Sequence, residues 1–533
     1  MKKIILCALP LLLPTHTWAQ HDPGRNATRL LANGKTDAAI QLVAKPPRKM
    51  NSPISEAEQQ FVLTMAACIQ GDADVAFKYA QQAVANGLPL ERLQAGPRDT
   101  LAPLFANKAF KTWLESRKKP LLHGPLLSSV TDSSASFWLR TSKEADVRVI
   151  VHALAKGVPI GKPLSGKTRT SSSEDYTATV RISGLKPMTQ YRYEVSVDGQ
   201  KAGKPTDFQT FPQKDSASRF SIAFGGGSGF TPQYERMWTT IHSRKPDALL
   251  LLGDNVYIDD PTHPLTQRYC YYRRQSQPEW QGLVATTSVF TIYDDHDFGI
   301  NDCEPGPDID TPAWKRPVWE VFRQNWNNPA YGGGSKQPGC WYDFHIGDVH
   351  FIMLDGRYYR DLAGGSMLGP VQKKWLLESL QSSKGKFKVL VSPVPWSPGV
   401  KPGSKDTWDG FPDEREEIFS FIENQKIDGV ILMAADRHRS DLRKIKRPNG
   451  YDLYEVMSSK LTNVHTHGLM ENAKGSEWVM GFNKKCSFGM MDFDTTQKDP
   501  QVKFSIIDID NQEIDSRTLK LNQLMSRNQT KNK

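Results

Sequence analysis

The chain has 533 residues, 38% of them hydrophobic and 24% charged, so it can bury several cores and we expect about two to four domains. Lys and Arg outnumber Asp and Glu by 68 to 58, and the net charge of +10 favours anionic partners in general. Because the positive charge is spread along the chain apart from a lysine-rich end at 520–533, nucleic-acid binding is not expected.

Residues 1–19 predict a secretory signal peptide. Lys2 and Lys3 precede an apolar run at 4–13, and Thr17 and Ala19 put small residues at the positions that a signal peptidase reads. The run is too short to cross a bilayer, and no later stretch reaches the roughly 18–20 apolar residues of a transmembrane helix. We therefore expect export through the Sec pathway to the periplasm or the extracellular space. An uncleaved N-terminal anchor is the alternative.

Export would place the cysteines in an oxidising compartment, where pairs tend to form disulfides. Cys303 and Cys340 lie in polar connections that contain Gly and Pro, so we expect a disulfide that joins loops, such as Cys303–Cys340, although sequence does not fix connectivity. No CxxC spacing occurs, and a cysteine metal cluster is not expected.

Residues 20–118 predict a helical accessory region. At 56–69 and 73–84, apolar residues recur at spacings of three and four. We expect short antiparallel helix pairs similar to tetratricopeptide units, although no clean repeat of roughly 34 residues is present. Such a region could dock a protein partner, and a structural cap on the rest of the molecule is the alternative.

Residues 121–213 change to a period of two, with turns rich in Gly, Pro, Ser and Asp, and predict a small β-sandwich of fibronectin type III or immunoglobulin type. The run LKPMTQY at 185–191 is similar to the turn into strand F of fibronectin type III domains, where a tyrosine hydroxyl ties the corner to the backbone. Tyr191 is that tyrosine. Sandwiches of this kind mostly position other domains.

Residues 218–512 alternate buried-strand runs with helical stretches, and a polar tail is expected at 513–533. The alternation predicts a layered α/β domain, so the whole chain is expected to be a multidomain α+β protein. In α/β folds, ligand groups gather on the loops that leave the carboxyl ends of strands.

Three polar motifs follow predicted strands. GDNVY at 253–257 offers the Asp254 carboxylate and the Tyr257 phenol as two hard oxygen donors. YDDHD at 293–297 carries negative charge that a cation would neutralise. Asp436 and His438 combine carboxylate with imidazole, which suits a divalent or trivalent transition metal. A salt-bridged loop explains any one motif, but three in series indicate a metal centre.

In chain order, the motifs GDNVY, YDDHDFGIND, QNWNNP, FIMLDGRYYRD and ADRHRSDL resemble the metallophosphatase domain of PhoD-like phosphatases, the alkaline phosphatase D family. SSKLT at 458–462 fits the family as well, and with the sandwich the match covers roughly 121–510. The resemblance implies an α/β/β/α domain, a multinuclear metal centre, reported in the family as iron with calcium, and hydrolysis of phosphate mono- or diesters. It implies these metal ligands: Asp254, Tyr257, Asp295, Asp436 and His438.

One departure puts the iron in doubt. Family members with iron and calcium typically place a cysteine ligand after the first strand, whereas residues 224–229 here read FGGGSG. Without that thiolate, the metal stays open among Ca, Fe, Mn and Zn. The glycine run itself fits either a backbone nest for phosphate or a plain tight turn.

The mechanism that these residues favour is hydrolysis by metal-activated water. His296 follows Asp295 directly and is the expected general acid, with a hydrogen-bond donor to a ligand as its alternative role. Arg357, Arg437 and Arg439 match phosphate oxygens in a bidentate way, although surface salt bridges explain them nearly as well.

The alternative is that the protein is a binding protein rather than an enzyme. The missing cysteine would fit a catalytically degenerate cell-surface binding protein that keeps a phosphatase-like domain. A serine hydrolase is disfavoured because no GxSxG elbow occurs.

Overall fold

The computed structural model describes residues 22–45 and 54–526. The predicted signal peptide lies outside the described residues, as does the end of the lysine-rich tail. Among the helices of the described chain, none combines the length and the apolar content that a bilayer crossing requires.

The described chain begins with a helical region of seven helices: α1 (Pro23–Ala32), α2 (Thr36–Ala44), α3 (Glu56–Ile69), α4 (Ala73–Ala85), α5 (Leu90–Ala95), α6 (Arg98–Ala106) and α7 (Lys108–Glu115). Capping residues explain where several of these helices begin. The Asp22 carboxylate accepts the Arg25 N–H at the start of α1, and Asp72 does the same for Val75 in α4. Pro23 at the first helical position of α1 needs no N–H partner.

The helical region packs on the C-terminal α/β part through Arg92, whose side chain is fully buried. Its guanidinium lies 4.6 Å from the ring centre of Phe61 in α3 and 4.8 Å from that of Tyr269 in α9 (Pro264–Gln275). Arg92 also donates to Glu58 Oε2 at 3.3 Å, and the Tyr269 hydroxyl donates to the same oxygen at 2.6 Å. This buried cluster joins the helical region to the C-terminal part.

Seven strands follow: β1 (Leu121–Ser128), β2 (Ser134–Thr141), β3 (Asp146–Ala155), β4 (Val158–Arg169), β5 (Thr177–Ser183), β6 (Gln190–Val197) and β7 (Gln200–Gln209). They form two facing layers, β1-β2-β5 and β4-β3-β6-β7. Phe137, Tyr193 and Phe208 pack between the layers. The hydroxyl of Tyr191 accepts the Lys186 N–H at 2.8 Å, which is the corner bond that the LKPMTQY run predicts.

The C-terminal part contains thirteen strands: β8 (Arg219–Gly225), β9 (Ala248–Leu252), β10 (Ser288–Ile292), β11 (Tyr342–Ile346), β12 (Val349–Met353), β13 (Phe387–Val391), β14 (Val430–Ala434), β15 (Ser440–Ile445), β16 (Leu453–Ser458), β17 (Glu477–Phe482), β18 (Ser487–Asp494), β19 (Gln501–Asp508) and β20 (Glu513–Lys520). Its other helices are α8 (Met237–Ser243), α10 (Pro278–Val284), α11 (Asp295–Phe298), α12 (Lys315–Asn325), α13 (Gly369–Ser382) and α14 (Pro412–Asn424).

Two large sheets organise these strands into a mixed α/β fold. One runs β20-β19-β18-β8-β9-β10-β1-β2-β5, and the other runs β11-β12-β13-β14-β16-β15-β17. The sheets face each other, with the rings of Phe290 and Phe344 stacked at 3.8 Å. Strands β9 and β14 are wholly buried, which explains their uninterrupted apolar sequences.

The sandwich is not a separate layer, because β1 pairs in parallel with β10 at Ser128 and Val289. The nine-stranded sheet therefore runs from the C-terminal part into the sandwich. Period-two patterning does not specify a partner across a domain boundary, so this pairing could not be predicted from the sequence.

Two further features differ from expectation. Part of the expected polar tail forms β20, with Leu519 and Leu524 buried, because an edge strand with one sheet neighbour tolerates polar residues along most of its length. The expected Cys303–Cys340 disulfide is wrong, because both residues are buried free thiols. Cys303 packs against Gly299, and the Cys340 N–H donates to Asp355 at 2.9 Å.

Candidate metal centre

The three polar motifs meet at the carboxyl ends of strands. Asp254 follows β9, Asp295 begins α11 after β10, and Asp436 and His438 follow β14. Asp254, Asp436 and His438 have φ angles of 54°, 67° and 42°, a left-handed conformation that is uncommon for residues other than glycine. Such backbone strain clusters at functional sites, where the surrounding structure holds it.

One group of candidate ligands is Asp254, Tyr257 and His438, which are all buried. The Tyr257 hydroxyl lies 2.9 Å from Asp254 Oδ2 and 3.4 Å from His438 Nε2, and the last two atoms are 3.9 Å apart. Within the described part of the chain, Asp254 Oδ1 and His438 Nδ1 are buried without a hydrogen-bond partner. Buried polar atoms are normally satisfied, so the unpartnered Asp254 Oδ1 fits a bound cation.

Two further groups of candidate ligands, both rich in carboxylates, lie next to the group of Asp254, Tyr257 and His438. Candidate ligand atoms of Asp254, Asp295 and His296 lie within 4.8 Å of one another, as do those of Asp295, Asp302 and Asp406. Burial raises the pKa of Asp254 well above its ordinary value, and Asp295 adds to the rise while His296 opposes it. A cation would offset this cost of ionising Asp254. Carboxylate, phenol and imidazole donors suit several divalent or trivalent ions.

Asp436 lies beside two cations, Lys401 and Arg437. Its Oδ2 atom is 3.7 Å from both Lys401 Nζ and Arg437 Nη1, and it has no hydrogen-bond partner among the described residues. Lys401 also donates to Asp302 at 3.0 Å and to Asp406 at 2.8 Å. Lys401 thus connects Asp436 to the second acidic group.

Asp297 organises the loop rather than facing the candidate ligands. Its carboxylate accepts the backbone N–H groups of Asn255 at 3.1 Å and Val256 at 2.8 Å, and the Asn255 side chain at 3.2 Å. These bonds fix the turn between Asp254 and Tyr257. One carboxylate of the YDDHD motif, that of Asp297, is therefore already hydrogen-bonded to backbone N–H groups.

The glycine run packs tightly against the candidate ligand loops. A Cβ atom at Gly226 would lie 2.8 Å from Ala435 Cβ, and one at Gly227 would lie 2.2 Å from Ser459 O. The N–H groups of Gly226 and Ser228 already donate to Ser458 O and Asp254 O. Because these N–H groups are already bonded within the protein, the structure favours the tight turn over the phosphate nest.

His296 is oriented by two successive ion pairs, from Arg25 in α1 to Asp259 and from Asp259 to His296. Its Nδ1 atom is hydrogen-bonded to Asp259, and Asp259 Oδ2 accepts from Arg25 Nη1 at 2.5 Å. Arg25 also donates to Tyr257 O at 3.2 Å. Burial opposes ionisation of Asp259, but His296 and Arg25 lower the pKa of Asp259 to about 2. The ring of His296 is thus oriented beside Tyr257, at 4.5 Å between ring centres.

The three candidate phosphate-binding arginines have different surroundings. Arg357 is fully buried and donates to Asp294 at 2.5 Å and to Asp406 at 2.6 Å. Arg439 is also fully buried and donates to Asp441 at 2.8 Å. Arg437 keeps 10% of its side chain exposed and lies beside Asp436.

Several residues of the site were missed by sequence reasoning. His465 and His467 place their ring centres 5.2 and 5.5 Å from that of His438. The closely spaced pair His-Thr-His was a usable signal. Asp259 and Lys401 lie in loops with no motif of their own, so only the folded chain brings them to the site.

A layered α/β fold with acidic and imidazole donors at its strand ends defines a protein of the metallophosphoesterase class. The family profile of PhoD-like phosphatases matches residues 222–504, more than half of the chain. The protein therefore belongs to the PhoD-like phosphatase family, which confirms the sequence-based prediction. Residues 118–216 match a domain of unknown function, DUF7800.

Relatives and solved structures agree with this assignment. Alkaline phosphatase D of Bacillus subtilis (strain 168) is 23% identical over 356 residues, which cover 56% of this chain and 57% of that protein. Purple acid phosphatase 15 of Arabidopsis thaliana is 24% identical over 241 residues, covering 41% of this chain and 39% of that protein. The chain thus spans less than two thirds of either relative.

Two solved structures share the fold. The structure of PhoD has a TM-score of 0.64 at 16% identity and covers 75% of this chain and 90% of that one. Purple acid phosphatase PPD1 from yellow lupin (Lupinus luteus) seeds has a TM-score of 0.57 at 14% identity and covers 74% of each chain.

Proposed function

We propose that the protein is an exported phosphoesterase that hydrolyses phosphate mono- or diesters with metal-activated water. The observation that carries the proposal is the convergence of Asp254, Tyr257 and His438, where the buried Asp254 Oδ1 atom has no hydrogen-bond partner among the described residues. Donors of this type at strand ends are the common basis of metal-assisted hydrolysis.

Five residues would hold the metals: Asp254, Tyr257, Asp295, Asp436 and His438. When bound, the metals would lower the pKa of a water molecule and neutralise the phosphoryl oxygens. The donor set contains no thiolate, so Ca, Fe, Mn and Zn all stay open as the ion.

His296 is the proposed general acid. Burial disfavours its charged form, but the carboxylates of Asp259, Asp295 and Asp254 together raise the pKa of His296 well above its ordinary value. A protonated ring that Asp259 holds in one orientation is suited to give a proton to a leaving oxygen. Arg437 is the proposed phosphate ligand, because Arg357 and Arg439 are committed to buried ion pairs.

The export part of the proposal rests on the sequence of residues 1–19. The mature N-terminus of protein recovered from a cell fraction outside the cytoplasm should follow Ala19. A mature protein that keeps residues 1–19 would instead support the uncleaved anchor.

The metal assignment is tested by Asp254→Asn and Asp295→Asn. Each should remove at least one metal and most of the turnover of a phosphate diester, because a neutral amide is a weaker ligand than a carboxylate. Metal content by mass spectrometry and initial rates measure both effects. Asp308→Asn, an exposed carboxylate after α11, is the matched control. Full activity with unchanged metal content in both variants would refute the assignment.

A catalytically degenerate binding protein is the second candidate. The observation that favours it is the glycine loop, where a side chain would meet Ala435 and Ser459 and where the family's cysteine is absent. Against it, a degenerate site would keep buried carboxylate and imidazole groups without a use or a partner, which is costly. A metal-loaded protein that hydrolyses neither mono- nor diesters would favour this candidate.

A further inference from the structure

A second cluster of ligand-type side chains lies on the hairpin of β11 and β12, outside the candidate metal centre. Asp343, His345 and His350 place one candidate ligand atom each within 4.8 Å of one another. The site proposed above uses none of these residues, and no motif of the PhoD-like resemblance includes them.

The strand register brings the three side chains to one face of the sheet. His345 and His350 are directly paired across the antiparallel hairpin, and their rings stack at 4.2 Å. Asp343 is two residues before His345 and therefore points to the same side. The residue between them, Phe344, points to the core and stacks on Phe290.

The hydrogen bonds of the cluster orient the His350 imidazole. His350 is buried, and its Nδ1 atom lies 2.9 Å from Ser383 Oγ while its Nε2 atom lies 2.9 Å from Asp343 Oδ2. If Ser383 accepts the Nδ1 proton, Nε2 presents its lone pair beside the carboxylate, which is how ligand histidines are held. His345 Nδ1 is buried without a hydrogen-bond partner among the described residues.

We propose that Asp343, His345 and His350 form a second binding site for a divalent transition-metal ion such as Zn²⁺. Two imidazoles and a carboxylate are a donor set that zinc accepts, with a fourth position left for water or an external ligand. Asp343 and His345 line a cleft of about 440 Å³ between the sandwich and the catalytic part, which gives an ion a path of entry.

Both signs of charge lie near the cluster. Lys214 opposes a cation beside His345, and the nearby Asp215 carboxylate counters it.

The site is distinct from the active site because β12 separates them. β12 starts at Val349 beside the cluster and ends at Met353, just before Asp355, which lies against Tyr293 on the catalytic side. A five-residue strand spans roughly 16 Å. The linker after the sandwich crosses the same hairpin, where the Asp215 N–H donates to Gly347 O at 2.9 Å. A bound ion would stabilise this junction.

Zinc binding by the full chain tests the proposal. The protein is loaded with Zn²⁺ alone, passed through gel filtration and analysed by mass spectrometry, and diester turnover is assayed in parallel. The double variant His345→Ala/His350→Ala should carry one equivalent less than wild type, with turnover within about twofold, since zinc sites of this type need both imidazoles. His152→Ala in the sandwich, a histidine outside the cluster, is the matched control and should keep the wild-type content.

A thermal melt adds an independent readout. Zn²⁺ should raise the Tm of Asp254→Asn, in which the candidate metal centre has lost at least one metal, and this rise should be smaller when the two histidines are also replaced. If the double variant fails to fold, Asp343→Asn and His345→Gln, at exposed and half-buried positions, carry the same measurements. Equal zinc content in wild type and cluster variants overturns the proposal. Loss of the equivalent together with diester turnover would overturn the claim of a distinct site.

Discussion

His296 and His438 have different surroundings, although both lie beside Tyr257. His438 Nε2 is within 3.4 Å of the Tyr257 hydroxyl and 3.9 Å of Asp254 Oδ2, as a common ligand position requires. The Nδ1 atom of His296 is instead committed to Asp259. These contacts favour a ligand role for His438 and a proton-transfer role for His296.

Replacing each histidine by alanine separates these roles. His438→Ala should lower the metal content, while His296→Ala should keep the metals and lose about 10²- to 10⁴-fold in rate. The loss in His296→Ala should be smaller for a nitrophenol leaving group, whose departing oxygen needs little protonation. Metal analysis and rates on good and poor leaving groups give the answer. Metal loss in His296→Ala would mean that the YDDHD loop supplies two ligands.

Asp406 balances the buried cations next to the site. It accepts from Arg357 at 2.6 Å and from Lys401 at 2.8 Å, and Arg360 also donates to it. Burial alone would raise the pKa of Asp406, but these three cations lower it well below the ordinary range. The depressed pKa means that Asp406 contributes stability above the unfolded-state carboxyl pKa of about 3.9 and that this contribution is lost as pH falls below it.

Asp406→Asn should therefore lower the free energy of unfolding by about 3–5 kcal/mol near neutral pH, because it leaves buried cations without their counter-charge. Urea unfolding at pH 7 measures the loss, and the gap from wild type should narrow in acid. Asp308→Asn should have little effect, since its side chain is exposed. An Asp406→Asn protein as stable as wild type at pH 7 would contradict this account of the ion pairs.

Helix α1 supplies a charge to the catalytic part. Arg25 is buried in α1 and bonds to Asp259, which in turn holds His296. The helical region therefore reaches the candidate metal centre through Arg25. In the proposed mechanism, Arg25 acts through Asp259 as a positioning residue.

Arg25→Ala should lower kcat on substrates with poor leaving groups by about 10- to 100-fold, the usual cost of removing a supporting partner. KM and metal content should stay unchanged, and Arg25→Lys should recover part of the loss. Arg98→Ala is the matched control, because Arg98 also joins the helical region to another part, at Ser142 O and the Tyr176 ring. Equal kcat losses in Arg25→Ala and Arg98→Ala would point to general destabilisation.

The elements that sequence predicted best are those whose environment is local. The apolar runs of β9 and β14 are buried on both faces, so composition alone identified them and placed Asp254 and Asp436 at their ends. The pairing of β1 with β10 was not predictable from patterning, since it joins segments about 160 residues apart. The same limit hid Asp259 and Lys401, whose importance comes from contacts with distant loops.

At the scale of the whole molecule, the helical region, the sandwich and the catalytic part are packed together. The sandwich shares a sheet with the catalytic part, and the helical region is joined to it through the buried Arg92 cluster. The protein is therefore expected to lose activity when the helical region is removed, through the lost Arg25 contact and exposed apolar surface. The central claim remains that these regions support a metal-dependent phosphoesterase.

The most direct test of that claim measures metal content and the turnover of a chromogenic phosphate diester on one preparation. The protein is assayed as purified, after removal of metal by a chelator, and after metal is added back. We predict bound metal at the start, loss of turnover with the metal, and recovery when the metal is restored. Full turnover by metal-free protein, or a metal-loaded protein that hydrolyses neither mono- nor diesters, would contradict the account.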